Sequence, residues 1–136
     1  LLIIFLTISL SFYFNSFLPI LLIITPQIYG GPVLWLLAFT QHAGLKFDSF
    51  DHRETTRTVL LGPILGTFLY SNMQYHIEHH ACPQVPFYNL PKFHSLIKDQ
   101  LPKSNKGLID AYREIIPAII KQSKDPNYEI AKQFPV

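Results

Sequence analysis

Residues 1–45 contain no aspartate, glutamate, lysine or arginine, and every charged side chain lies from Lys46 onward. A water-soluble fold rarely leaves its first third uncharged, because the outer faces of its elements must meet water. That third is therefore expected in lipid. Residues 1–24 are apolar apart from Thr7, Ser9, Ser11, Asn15 and Ser16. At about 1.5 Å per residue, a helix of that length crosses a hydrocarbon core of roughly 30 Å. One membrane helix is predicted there. Pro26 and the Gly30-Gly31-Pro32 turn are expected to break it, and a shorter second span is expected from near Gln27 to the level of His42.

Beyond the apolar third, residues 46–57 read as a polar loop or short interfacial helix. Residues 59–70 are apolar but too short to span, and Gly62, Pro63 and Gly66 interrupt them; they suit an interface or burial against other helices. Two amphipathic helices are predicted further on. In residues 90–101, Leu90, Phe93, Leu96, Ile97 and Leu101 recur at helical spacing, and in residues 108–120 Leu108, Ile109, Tyr112, Ile115, Ile116 and Ile119 repeat the pattern. The fold class is all-α, with integral membrane helices followed by an amphipathic helical C-terminal region. The lysines and arginines of that region favour the cytoplasmic side.

The only methionine is Met73, and the chain opens directly into an apolar run. A signal peptide would need a basic n-region and a cleavage site ahead of a polar sequence. The chain is expected to be the C-terminal part of a larger domain. A net charge of +2 and a pI near 8.7, without basic and aromatic residues interleaved in a stripe, set nucleic acid aside. Cys82 stands alone, which excludes an internal disulfide and a cysteine zinc site.

The informative segment is Asn72-Met73-Gln74-Tyr75-His76-Ile77-Glu78-His79-His80, where three of the six histidines fall within five residues. On a helix His76, His79 and His80 share an arc of about 100°, and Glu78 points to the opposite side. Imidazoles grouped in this way suit iron, zinc, copper or nickel better than they suit packing. The zinc-protease patterns fail: H-E-x-x-H needs glutamate at position 77 and H-x-x-E-H needs it at 79, where Ile77 and His79 stand. His42, at the end of a charge-free span, is a further functional candidate.

These residues resemble the membrane-bound fatty acid desaturases and the related alkane hydroxylases and carotenoid oxygenases. The family's last histidine box, H-x-x-H-H, is matched by His76, His79 and His80. The likeness extends through Pro83, Val85-Pro86-Phe87-Tyr88 and Leu90-Pro91-Lys92-Phe93-His94, covering about residues 40–94. The resemblance implies His42, His76, His79 and His80 as metal ligands. It also implies three parts: membrane segments in 1–45, a metal-site region in 46–89 and a cytosolic helical tail in 90–136. Asp48, Asp51, Glu54 and Asn72 are candidates for orienting the imidazoles by accepting their other ring proton, and His52 reads as a neighbour of the site. His94 reads as structural or interfacial. Arg53, Thr56 and Arg57 resemble a polar segment that could hold those carboxylates or a substrate head group, or else form a solvated loop.

The family also uses an H-x-x-x-H box and an earlier H-x-x-H-H box, and neither occurs here. The resemblance implies a non-haem di-iron oxidoreductase that uses O2 to desaturate a fatty acyl lipid, with two irons completed by ligands from outside this chain, which alone would be inactive. Electrons would come from a separate donor such as a ferredoxin, rubredoxin or cytochrome b5. Two other readings stay open: a hydroxylase or ketolase acting on an alkane, carotenoid or other lipid, and a non-catalytic membrane protein that binds a metal such as zinc.

Overall fold

A computed structural model describes residues 1–135. Its regular structure is helical: among the described residues there is no strand, only one isolated bridge between Val59 and Asn105. The chain divides into two compact units, Leu1–Leu36 and the residues from Leu37 onward.

The first unit holds helix α1, Leu2–Tyr13, and a π-helical turn, Ile20–Ile24, which packs against α1 and runs on into α2, Thr25–His42. The expected single helix over residues 1–24 is therefore corrected. The break falls at residues 14–19, where Asn15 takes the left-handed conformation at φ +47°, a state asparagine tolerates better than most residues. The Ser16 hydroxyl then accepts a bond from the Leu18 amide, and Pro19 follows at the entry to the next helix, where a missing N–H costs little. Pro26, Gly30, Gly31 and Pro32 do not break the chain; all four lie inside α2. Helices surrounded by lipid tolerate glycine and proline in this way. Counted from Ile20 to His42, this 23-residue helix is long and apolar enough to cross a membrane; α1, at 12 residues, is shorter.

The second unit is organised around an extended, buried rail, residues 56–59. Its backbone is held on both sides: the Val59 amide donates to the Gln74 carbonyl, Leu60 donates to Asn105, and Asn105 donates back to Thr58. The core is Val59 with Ala111 and Ile115, against which Phe39, Ala43 and Leu61 pack. Around it stand a short α3 at His52–Thr55, a π-helical segment at Pro63–Leu69, α4 at His76–Ala81, α5 at Leu90–Ile97 and α6 at Leu108–Gln122.

Both amphipathic helices expected from the spacing are present. Of the predicted apolar stripe of α6 only Ile115 is buried, and it is joined by Ala111 and Ala118, two alanines outside that stripe. Residues 124–135 are not helical. They return across the unit, where Ile130 donates its amide to the Gly44 carbonyl and fills the space beside Gly44. A Cβ at Gly44 would lie 2.8 Å from the Ile130 side chain, and φ there is +76°, so only glycine fits.

Candidate metal centre

The histidine segment is positioned by the turn before it. Ser71 and Asn72 are both left-handed, at φ +47° and +57°. The Asn72 amide donates to Gly66, its side-chain carbonyl accepts from the Thr67 hydroxyl at 2.9 Å, and its Nδ2 donates to the Phe87 carbonyl at 3.0 Å. Gln74 wedges against Gly66, where a Cβ would come within 2.3 Å of its amide, and its Oε1 accepts from the Leu61 amide at 2.6 Å. The entry to α4 is thus fixed on three sides before the first histidine. The end of α2 is tied to the same turn, because Gln41 Nε2 donates to the Met73 carbonyl at 2.7 Å.

These constraints bring three imidazoles together. His42 Nε2 lies 2.9 Å from His76 Nε2, and His80 Nε2 lies 3.0 Å from the same atom. His42 Nδ1 faces the Thr55 carbonyl at 3.1 Å. A carbonyl only accepts, so that nitrogen carries the ring proton and His42 Nε2 presents a lone pair to the cluster. His76 is 9% exposed. Burial, followed by His80, His42 and His79, pushes its pKa down to about 3, and burial also lowers that of His80. At neutral pH both are therefore neutral donors.

The protons in this cluster do not balance. A neutral imidazole nitrogen has either one proton or one lone pair, and His76 Nε2 faces two other ring nitrogens. If it carries the proton, it satisfies one neighbour and leaves the other contact frustrated. If it does not, its lone pair faces that of His42, and the proton moves to His76 Nδ1, a buried atom with no hydrogen-bond partner among the described residues. A cation accepting the converging Nε2 lone pairs removes the clash between them, with the His76 proton held on Nδ1. The donor set of neutral nitrogens fits iron, and equally zinc, copper or nickel. Among the described residues, His42, His76 and His80 form the group whose ligand atoms lie within 4.8 Å of one another.

Glu78 points away from this cluster, as its place on the helix requires. It is fully buried, accepting 2.6 Å from the Thr58 hydroxyl and paired with His94 Nδ1. The His94 ring also stacks on Tyr75 at 4.9 Å. A buried carboxylate is costly unless paired and hydrogen-bonded. This one binds the back of α4 to the rail and to α5, locking the rotation that aims the histidines.

The remaining expected site residues fall around the three. His79 is half-buried, with its ring centre 5.9 Å from those of His76 and His80. The His52 ring lies 5.2 Å from that of His80. Asp51 caps α3 and grips Arg53, whose hydrogen bonds hold the Asp51 carboxyl below the usual range. Glu54 pairs with Lys46 at 3.2 Å, Asp48 is exposed, and Asn72 makes the turn contacts given above. The acceptor that orients His42 is instead the Thr55 backbone carbonyl, which no residue type announces.

Arg57 is buried rather than solvated. Its Nη1 donates to the carbonyls of Thr40 at 2.6 Å and Ala43 at 3.1 Å, and its Nε lies 3.6 Å from Glu114. It therefore clamps the end of α2 that carries His42. The only hint of this in the sequence is the hydrophobic-free triplet Thr56-Arg57-Thr58 leading directly into Val59.

In comparison with known proteins, the family model described as fatty acid desaturase matches residues 1–112. Searches among curated proteins and among solved structures return no match.

Proposed function

Because this chain belongs to the fatty acid desaturase family, we propose that it supplies the C-terminal histidines of a membrane-bound, non-haem di-iron oxidoreductase that desaturates a fatty acyl lipid with O2. The observation that carries the reading is the meeting of the Nε2 atoms of His42, His76 and His80 at 2.9 and 3.0 Å, a convergence of ring nitrogens that suits a cation. These three would hold metal, with His79 as a fourth ligand from the same box. Four imidazoles are too few for two irons, so further ligands would come from protein outside these residues.

When bound, the iron pair supplies the oxidising power, drawn from O2 and two external electrons, that cleaves an unactivated C–H bond. The chain's own residues prepare that centre. The Thr55 carbonyl keeps the His42 proton on Nδ1, so that Nε2 remains a donor. Burial keeps His76 neutral. Glu78, held by Thr58 and His94, prevents α4 from turning its histidines away. Ile20–His42 would cross the bilayer and place the cluster at its end, on the cytoplasmic side given the lysines and arginines that follow. Electrons would come from a separate ferredoxin, rubredoxin or cytochrome b5, since the sequence carries no flavin, haem or nucleotide motif.

The test is to express the complete coding sequence, measure metal in the purified protein, and analyse lipid products by mass spectrometry. Iron together with an O2-dependent product two hydrogens lighter supports the proposal. A product one oxygen heavier moves the reading to a hydroxylase. Zinc as the sole metal, with no O2-dependent product, sinks catalysis and leaves metal binding.

A further inference from the structure

Helix α6 is apolar on two opposed faces. Ala111, Ile115 and Ala118 are buried in the core. At about 100° per residue, Ile109, Ile116 and Ile120 fall within about 40° of one another on nearly the opposite side, and they are 71%, 53% and 55% exposed. A helix in water normally turns such a stripe inward, and a continuous exposed apolar stripe marks a contact surface.

Two observations identify what covers it. The buried face of α6 packs through Ala111 and Ile115 against Phe39 and Ala43, where α2 ends, and Ala118 lies against Gly44. The helix therefore sits where a span ending at His42 would leave the bilayer. The charges near it are also arranged unequally. The acidic groups are engaged within the fold: Asp110 accepts from the Lys106 amide at 2.9 Å, and Glu114 accepts from Lys132 at 2.6 Å. The cations Lys103, Lys106, Arg113 and Lys124 have exposed side chains. An apolar stripe with exposed cations near it complements an anionic lipid surface.

We propose that α6 is an in-plane membrane-surface helix, with Ile109, Ile116 and Ile120 seated below the headgroups of the leaflet from which α2 emerges. This rests on the reading that Ile20–His42 crosses the bilayer, and the experiment separates the two. The full chain is reconstituted into phosphatidylcholine vesicles containing phosphatidylglycerol, with acyl chains brominated near the headgroup end. Emission of the native Trp35 reports the span. Ile116→Trp in a Trp35→Phe background reports α6, Ile120→Trp provides a second position on the same stripe, and Lys121→Trp serves as an outward control.

Ile116→Trp and Ile120→Trp are each expected to lose about half of their emission to the bromines, because the apolar face of an interfacial helix lies roughly 5–10 Å deep. Lys121→Trp should lose little. If Trp35 is quenched but both stripe positions respond only to aqueous acrylamide, the stripe faces water and the inference fails. If they respond to neither quencher, the stripe is covered by protein, whether a second copy or another part of the chain, and the inference also fails. If Trp35 itself is unquenched, the membrane reading falls first and this one with it.

Discussion

Residues Leu1–Leu36 and the residues after them treat polar groups in opposite ways. In the first unit the buried side chains are Thr7 and Ser11, whereas its leucines, isoleucines and phenylalanines are mostly exposed. Its hydroxyls bond back to their own helix: Thr7 to the Ile3 carbonyl, Ser9 to Phe5 and Thr25 to Leu21. In the second unit Arg57, Glu78, Asn72 and Gln74 are buried and bond across long stretches of sequence, Arg57 to Thr40, Glu78 to Thr58 and Gln74 to Leu61. The first pattern suits helices whose surroundings offer no hydrogen bonds. The second uses polar groups to fix positions, and the positions it fixes are those of the histidines.

If that contrast is right, the same kind of substitution should have different consequences on either side of it. The largest effect is expected at the metal. His76→Ala removes the nitrogen on which both other imidazoles converge. Since loss of an outer-shell partner alone costs roughly 10–100-fold in metal affinity, this ligand should cost more than about 100-fold, measured as iron retained by the purified full-length protein.

Next comes the span. Leu34→Arg places a charge well inside Ile20–His42 and should cost about 2.5–3.5 kcal/mol of insertion, read as the fraction of chain resisting alkaline extraction from membranes. Phe50→Arg, at a position 103% exposed in the second unit, should change stability by no more than about 0.5 kcal/mol. Equal tolerance of both would erase the distinction between the units.

Glu78→Gln keeps the shape of the buried carboxylate but removes its charge from His94. Hydrogen bonds to charged groups are worth about 1.5–3 kcal/mol, and a loss in that range is expected in thermal unfolding of the detergent-solubilised protein. Glu129→Gln, on the exposed tail, should leave the transition unmoved.

Much of this contrast was legible in the sequence, and the reasons for the rest are specific. Absence of charge over 45 residues and the five-residue histidine cluster are statements about composition and spacing, which survive folding. The break near Asn15 was not legible, because it falls on asparagine and serine, whereas the glycines and prolines that usually mark breaks lie inside α2. Burial of Arg57 was hidden because a guanidinium normally seeks water, and the carbonyls of Thr40 and Ala43 and the Glu114 carboxylate that make its burial tolerable are brought close only by the fold. The Thr55 carbonyl that orients His42 belongs to the backbone and so leaves no mark in residue types. His94 seemed structural and is so, but its partner Glu78, 16 residues away, emerges only when α4 and α5 pack.

Acid should act on the second unit alone. Burial opposes ionisation of Glu114, but the hydrogen bond and charge of Lys132, the charge of Arg57 and the bond from Asn105 outweigh it and hold its pKa below the ordinary 4.5. A carboxyl depressed in the fold contributes stability that is complete above its unfolded pKa and is lost as pH falls through the folded one. Protection from hydrogen exchange in residues 37–135, corrected for the intrinsic rate at each pH, should therefore fall below about pH 4.5, and Glu114→Gln should flatten that dependence. Residues Leu1–Leu36 contain no acidic side chain and should not respond.

The smallest effect distinguishes the units most finely, because it compares two buried polar groups. Ser11 Oγ, like His76 Nδ1, is buried without a hydrogen-bond partner among the described residues. At His76 the unsatisfied Nδ1 belongs to a ring whose other nitrogen, Nε2, meets those of His42 and His80 in a set that a cation would complete. Ser11 has no such set: the cavity beside it is lined by Ile8, Phe12, Phe17 and Ile20 together with Asn15 and Ser16. An unpaired buried hydroxyl contributes a desolvation cost and nothing in return, so Ser11→Ala should leave stability within about 0.5 kcal/mol of the parent or raise it slightly. A clear loss of stability would mean that the hydroxyl meets a partner outside the described residues, and the first unit would then share the second's use of buried polar groups to fix position.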